Sequence, residues 1–206
     1  MSESFAQLLK RRRMVRDYLP DPIDRATIER IVGTVRRAPS AGFSQGHRLV
    51  VVTNAATRGA LAVLAGEAEY VEMGLKPWIS TAPVHIVVCT REESYHERYR
   101  KTDKLVDGGE ITWPAPYWYV DAGSMFMLLQ LAALAEGLGT GVYGVPGEEV
   151  PALEQLLGLP EDISFVCVVT IGRQPPEADD SGQVSRLTQA RQPLDELVRW
   201  ERWERT

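Results

Sequence analysis

Arg11-Arg12-Arg13-Met14-Val15-Arg16-Asp17-Tyr18 places four arginines within six residues, in a chain of 206 residues whose formal net charge is −5. In an acidic protein such a cluster calls for a local anion. Guanidinium forks match the geometry of phosphate and carboxylate oxygens. Three readings are open on these residues alone: a phosphate site, a solvated helix end, or a nucleic-acid contact. About twenty residues further on, Ala38-Pro39-Ser40-Ala41-Gly42-Phe43-Ser44-Gln45 forms a small-residue stretch that runs into the apolar segment Leu49-Val50-Val51-Val52.

The bulk composition narrows these readings. The chain is 44% hydrophobic and 25% charged, with a pI near 5.3. That is an ordinary globular composition, long enough to bury a sizeable core as one domain spanning 1–206. The acidic balance argues against a general nucleic-acid binder. Cys89 and Cys167 sit in apolar runs and read as small buried hydrophobes, which suits the cytoplasm. Residues 1–10 carry no apolar core before a cleavage site, so no signal peptide is expected. The longest apolar stretch, 122–135, is too short to span a membrane. His47, His85 and His96 lack the spacing of metal ligands, and no nucleophile triad is recognisable.

Periodicity predicts helices over 4–12, from an Asp24 N-cap to Pro39, and over 55–65 and 150–157. It predicts strands over 49–53, 84–90 and 165–171, the second without alternation and therefore buried on both faces. A helix apolar on nearly all sides runs from an Asp121 N-cap to Glu136, the pattern of a core helix. Residues 91–118 show no clean period and are rich in charge and aromatics, as in an insertion or lid. Gln174 to Arg186 reads as a polar loop, and 194–206 as a tail carrying Trp200 and Trp203. These elements predict an α+β layered domain with a central mixed sheet around a buried core helix.

Basic cluster, helix, small-residue loop and strand, in this order and spacing, resemble the amino-terminal half of the flavin-dependent nitroreductase superfamily. The resemblance extends over about residues 5–198 and is weakest over 91–118. It implies FMN as cofactor and NADH or NADPH as electron donor, with a deazaflavin as a further possibility. It also implies a homodimer with flavin sites at the interface. On this resemblance Arg12, Arg13 and Met14 lie on the phosphate side of FMN, and Arg16 lies at the pyrimidine edge of its ring. There a cation stabilises the charge gained on reduction. Met14 replaces a small hydroxyl residue common in the family. Pro39, Ser40, Ala41 and Gly42 pack against the flavin, and Arg191, before Pro193 and an apolar tail, closes the phosphate site.

Gly139-Thr140-Gly141-Val142-Tyr143-Gly144 matches G-x-G-x-x-G, yet it follows a helix and leads into a strand, the reverse of a dinucleotide fingerprint. In the family this stretch runs beside the flavin, and a backbone N–H just after it points at N5. The aligned stretch is Gly144-Val145-Pro146-Gly147; Pro146 has no N–H, which leaves Val145 or Gly147 as the donor. Phe43 is similar to the branch that includes the flavin-consuming dimethylbenzimidazole synthase. Met14 stands where that branch has aspartate after paired arginines. Trp113-Pro114-Ala115-Pro116-Tyr117-Trp118 reads either as core packing or as a lid, with Phe43, Tyr117 and Trp118 lining a substrate pocket. The activity implied is hydride passage from NAD(P)H through the flavin to a nitroaromatic, quinone or enone acceptor. A non-catalytic flavin-binding protein and a flavin-consuming enzyme are the alternatives.

Overall fold

A computed structural model describes residues 4–176 and 190–203. Four strands, β1 (His47–Val52), β2 (Val84–Thr90), β3 (Gly139–Tyr143) and β4 (Ser164–Gly172), form one sheet in the order β1-β2-β4-β3. Every pairing among them is antiparallel, so the expected mixed sheet is corrected. The one parallel contact is an isolated bridge between Met14 and Thr140. All seven residues of β2 are buried, as its unbroken apolar run predicts.

Helices cover both faces of the sheet. Val84, Ile86 and Val88 of β2 join one core cluster with Val169 and Ile171 of β4. That cluster includes Ile28 and Ile31 of α2 (Arg25–Gly33) and Ala122, Met125, Leu129 and Ala133 of α7 (Tyr117–Ala135). Val87 and Cys89 turn the other way, the period of two that a strand imposes. They pack with Leu61 of α3 (Ala55–Leu64), Trp78 and Ile79 of α5 (Trp78–Thr81) and Leu153 of α8 (Val150–Leu157). Burying Met125 and Leu129 completely stabilises the α7 face by about 1.5–3 kcal/mol per side chain. The shorter helices are α1 (Phe5–Arg11), α4 (Glu67–Glu72), α6 (Glu93–Tyr99) and α9 (Leu194–Leu197).

Local signals account for most helix starts. Ser4 and Gln7 form a capping box on α1, the Asp24 carboxylate accepts from Thr27 N–H at 2.9 Å, and Asn54 caps α3. α7 departs from expectation. It starts at Tyr117, behind Pro116, and Asp121 lies inside it. The helix is therefore 19 residues long, enough by length and composition to cross a membrane, yet its Ala122, Met125, Leu129 and Ala133 side packs on the sheet. Its other side leaves Tyr119, Val120 and Met127 exposed, so α7 is covered on one side here. Residues 91–118, expected to be irregular, contain α6 and a 3-10 turn at Thr102–Lys104. Of the expected loop 174–186, residues 177–186 lie outside the described residues.

The amino-terminal segment is held against β3. Val15 N–H donates to Thr140 C=O at 2.8 Å, and the Tyr18 hydroxyl bonds both Val15 C=O and Thr170 Oγ1. Glycine is required at the contact. A Cβ on Gly141 would stand 2.6 Å from Val15 O and 2.7 Å from both Thr170 Oγ1 and a Trp78 ring carbon. Gly141→Ala should therefore cost about 1–3 kcal/mol in urea unfolding, because the atoms it meets are backbone and packed core. Gly59→Ala in α3, where a Cβ meets nothing within 4 Å, should gain up to about 1 kcal/mol. Equal unfolding midpoints for the two variants would refute this account of the contact.

Candidate functional site

A cleft of about 1120 Å³ opens between α1, the turn from α7 into β3, and the chain after β4. Lys10, Arg11, Arg12, Arg13, Arg173 and Arg191 line it. Among its described lining residues the one carboxylate is Glu136, which Arg30 binds through Nε and Nη2 at 2.9 Å each. The described lining is thus strongly cationic.

Three contacts fix this arrangement. Arg11 Nη2 donates at 3.1 Å to Leu134 C=O near the end of α7, a carbonyl that also accepts from Gly137 N–H at 3.1 Å. Arg13 Nη2 donates to Gln174 Oε1 at 2.8 Å. The bond from Val15 to Thr140 holds the chain between them along β3. Among the described residues no hydrogen bond or ion pair engages the half-buried Arg12 guanidinium. Met14, at the bridge to Thr140, adjoins the cleft without lining it.

The remaining site residues lie elsewhere. Arg16 stands outside the cleft lining, its guanidinium carbon 5.7 Å from the centroid of the Trp78 ring. Pro39, Ser40, Ala41 and Gly42 form a curled loop at the junction of α6 and α7. Asp121 Oδ2 accepts from Ala41 N–H at 2.9 Å and from the Tyr95 hydroxyl at 2.8 Å. Gly42 C=O accepts from Arg98 Nε at 2.8 Å, and Pro39 C=O is 3.1 Å from His47 Nε2. Gly42 has φ +57°, and a Cβ there would stand 2.6 Å from the Tyr99 ring. Phe43, at φ +59°, is 72% exposed. A bulky residue held in the left-handed region costs about 1–3 kcal/mol and must be over-determined by its neighbours. Gly144 and Gly147 are exposed after β3, with Val145 half-buried between them.

The aromatic segment forms its own cluster. Tyr99 and Trp113 ring centroids are 4.5 Å apart, and Trp118 packs edge-on to Tyr95 and Trp113. Trp118 is buried within this cluster, whereas Tyr117 is 36% exposed. Glu110 ties the cluster together by accepting from His96 Nδ1, from Trp113 Nε1 at 2.7 Å and from Arg100 Nε at 3.1 Å.

The structure thus brings Arg12, Arg13 and Arg191 together and leaves Arg16, the 39–43 loop and residues 144–147 outside that cleft. Sequence reasoning missed Arg173, Asp121, Arg98 and Glu110. Asp121 did carry a signal, a polar residue before an apolar run, but a helix cap gives the same pattern. Both cysteine thiols are pushed up by burial, Cys89 to about 12 and Cys167 to about 11, and neither adjoins the cleft. Among the described residues no three His, Cys, Asp or Glu side chains group as metal ligands.

The chain is 31% identical over 198 residues to a 5,6-dimethylbenzimidazole synthase of Rhodobacter capsulatus, covering 89% of each chain. It is 26% identical to an NADH dehydrogenase of Thermus thermophilus, covering 92% of each. Its fold matches the NADPH:FMN oxidoreductase from Vibrio harveyi complexed with NAD+, with a TM-score of 0.72 at 21% identity, over 98% of this chain and 78% of that one. Residues 9–173 match the model of the nitroreductase family, and the chain belongs to that family.

Proposed function

We propose that the chain is an FMN-dependent oxidoreductase that takes electrons from NADH or NADPH and gives them to a small acceptor such as a nitroaromatic, quinone or enone. The observation that carries this reading is the cationic cleft. Its donor set suits a phosphate monoester: guanidinium forks from both ends of the chain converge on a concave surface, with the half-buried Arg12 uncommitted among the described residues. FMN when bound supplies the hydride chemistry. Arg12, Arg13 and Arg191 hold its phosphate, and Arg16 sets the charge beside its ring. The backbone of Pro39–Gly42 gives a flat surface free of large side chains, and Val145 or Gly147 offers the N–H for the ring nitrogen. Phe43 and Tyr117 present apolar surface to the acceptor, and Trp118 supports them from within the aromatic cluster.

A second copy of the chain completes this site. Tyr119, Val120 and Met127 on α7, with Leu194, Leu197, Trp200 and Trp203 on the tail, are large apolar side chains left exposed, the kind of surface a partner covers. Two free cysteines fit a reducing cytoplasm. The relative from Rhodobacter capsulatus favours one other reading, a flavin-consuming enzyme. Met14, in place of the aspartate of that branch, speaks against it.

The purified protein should be yellow and should bleach when NADH or NADPH is added without oxygen. Conversion of the flavin to dimethylbenzimidazole, read by chromatography, would instead establish the flavin-consuming reading. Arg12→Ala removes a charge-assisted contact of about 1.5–3 kcal/mol. FMN affinity should fall about tenfold to a hundredfold, while riboflavin, which lacks the phosphate, should bind the variant and the parent alike. Equal losses for both ligands would remove Arg12 from the phosphate.

Residues 91–118 act as a lid anchored by His96. Burial disfavours the imidazolium, but hydrogen bonds to Glu110 and Glu92 outweigh it and raise the His96 pKa. Arg100 and Glu93 complete the local charge set. A raised pKa means that the stabilisation is complete below about pH 6.5 and is lost as pH rises through the folded value. Hydrogen exchange over 101–113 should therefore quicken on the alkaline side beyond the intrinsic trend, and His96→Gln should abolish that pH dependence. Protection that ignores pH in the parent protein would sink the anchor.

A further inference from the structure

We infer that Trp78 is the positioning residue for Arg16 and, through it, sets the reduction potential of the bound flavin. This rests on the proposed placement of Arg16 beside the flavin ring.

The ring is in contact with the cation and is itself immobile. The Arg16 guanidinium stands 5.7 Å from the Trp78 ring centroid, within the range of a cation–π contact. Trp78 is 5% exposed. It begins α5, and that short helix is held at both ends. The buried Glu67 carboxylate accepts from Ile79 N–H and Ser80 N–H, and Arg58 Nη1 donates to Ser80 C=O at 2.9 Å and Ala82 C=O at 2.6 Å. Tyr143 packs edge-on to Trp78 with centroids 6.0 Å apart, and its hydroxyl bonds His85 Nδ1 at 3.0 Å. Gly141 lets the indole approach β3. Alongside, Lys76 Nζ bonds Asp17 Oδ2 at 2.6 Å, so the residues that flank Trp78 and Arg16 are also joined.

An arginine side chain has many rotamers, and the effect of a charge falls with distance. A cation laid against a packed indole is held in place, where it would stabilise negative charge on a bound flavin ring. Trp78 is buried and meets the Arg16 guanidinium through its ring face, so its influence on the potential is inferred to pass through Arg16.

The test is the midpoint potential of FMN in the loaded protein, measured by dye-coupled photoreduction for the parent, Arg16→Gln, Trp78→Leu, Trp78→Phe and the Arg16→Gln/Trp78→Leu double variant. Arg16→Gln should make the potential more negative. Trp78→Leu should shift it in the same direction, and Trp78→Phe, which keeps an aromatic face in the core, should shift it less. Added to Arg16→Gln, Trp78→Leu should shift it no further. Should Trp78→Leu fail to fold, the comparison is made with Trp78→Phe in both backgrounds. A potential that ignores Trp78, or an equal shift with and without Arg16, overturns the inference and leaves the flavin reading standing. Parent protein that takes up no FMN overturns the flavin reading, and this inference falls with it.

Discussion

The approach of residues 14–18 to β3 is the constraint on which the rest of the molecule depends. An extended segment that carries several arginines is costly to hold at the edge of a hydrophobic sheet, because its backbone groups need partners and its cations need water. The chain meets both needs. Val15 bonds Thr140, Tyr18 bonds Thr170, and Val15 and Tyr18 are buried, while the arginines on either side of Val15 reach the cleft or the surface. The absence of side chains at Gly139 and Gly141 makes room for the approach. The G-x-G pattern there thus has a packing role in this fold, and it needs no dinucleotide to explain it.

A second constraint lies on the opposite face of the sheet. Asp121 is 8% exposed, and one of its oxygens takes two donors, from the 39–43 loop and from α6. A buried carboxylate without donors would be destabilising by several kcal/mol, whereas one that is hydrogen-bonded ties together the elements that supply its donors. Loop, α6 and α7 therefore form one joint, with Arg98 and Tyr99 pressing on Gly42 from the α6 side. The strained Phe43 stands at the rim of that joint. Under the proposed reading, any change that moves α6 also moves the surface offered to the flavin.

What was legible in the sequence follows from which interactions are local. Asp24 and the run 84–90 announced themselves because a cap and a doubly buried strand depend on neighbours in sequence. The start of α7 was misplaced because Asp121 has two possible partners, a helix N-terminus nearby and a loop 80 residues away, and residue type does not choose between them. The sheet was expected to be mixed because strand direction depends on crossovers that no local pattern encodes. The arginines stood out by charge. That Arg16 meets Trp78 and Arg13 meets Gln174 is a matter of tertiary contact, invisible in a single chain of letters. Glu110 was missed for the same reason, since His96, Arg100 and Trp113 are gathered around it by a turn of chain with no periodic signature.

The separation of the cleft from the 39–43 loop bears on the state in which the protein works. Arg12 and Arg16 are four residues apart, at most about 14 Å in extended backbone, so one elongated ligand with a phosphate at one end and a ring at the other can span both. The 39–43 loop is held by α6 and α7, away from the cleft lining. A helix apolar on all sides needs cover on all sides. The sheet covers one side of α7, while Tyr119, Val120 and Met127 remain outside, as do Trp200 and Trp203 of the tail. A second copy laid on these surfaces would remove them from water and would bring another set of loops to the ligand. Under the proposed reading, the apolar side chains that α7 leaves exposed are the surface a second copy would cover as it completes the site.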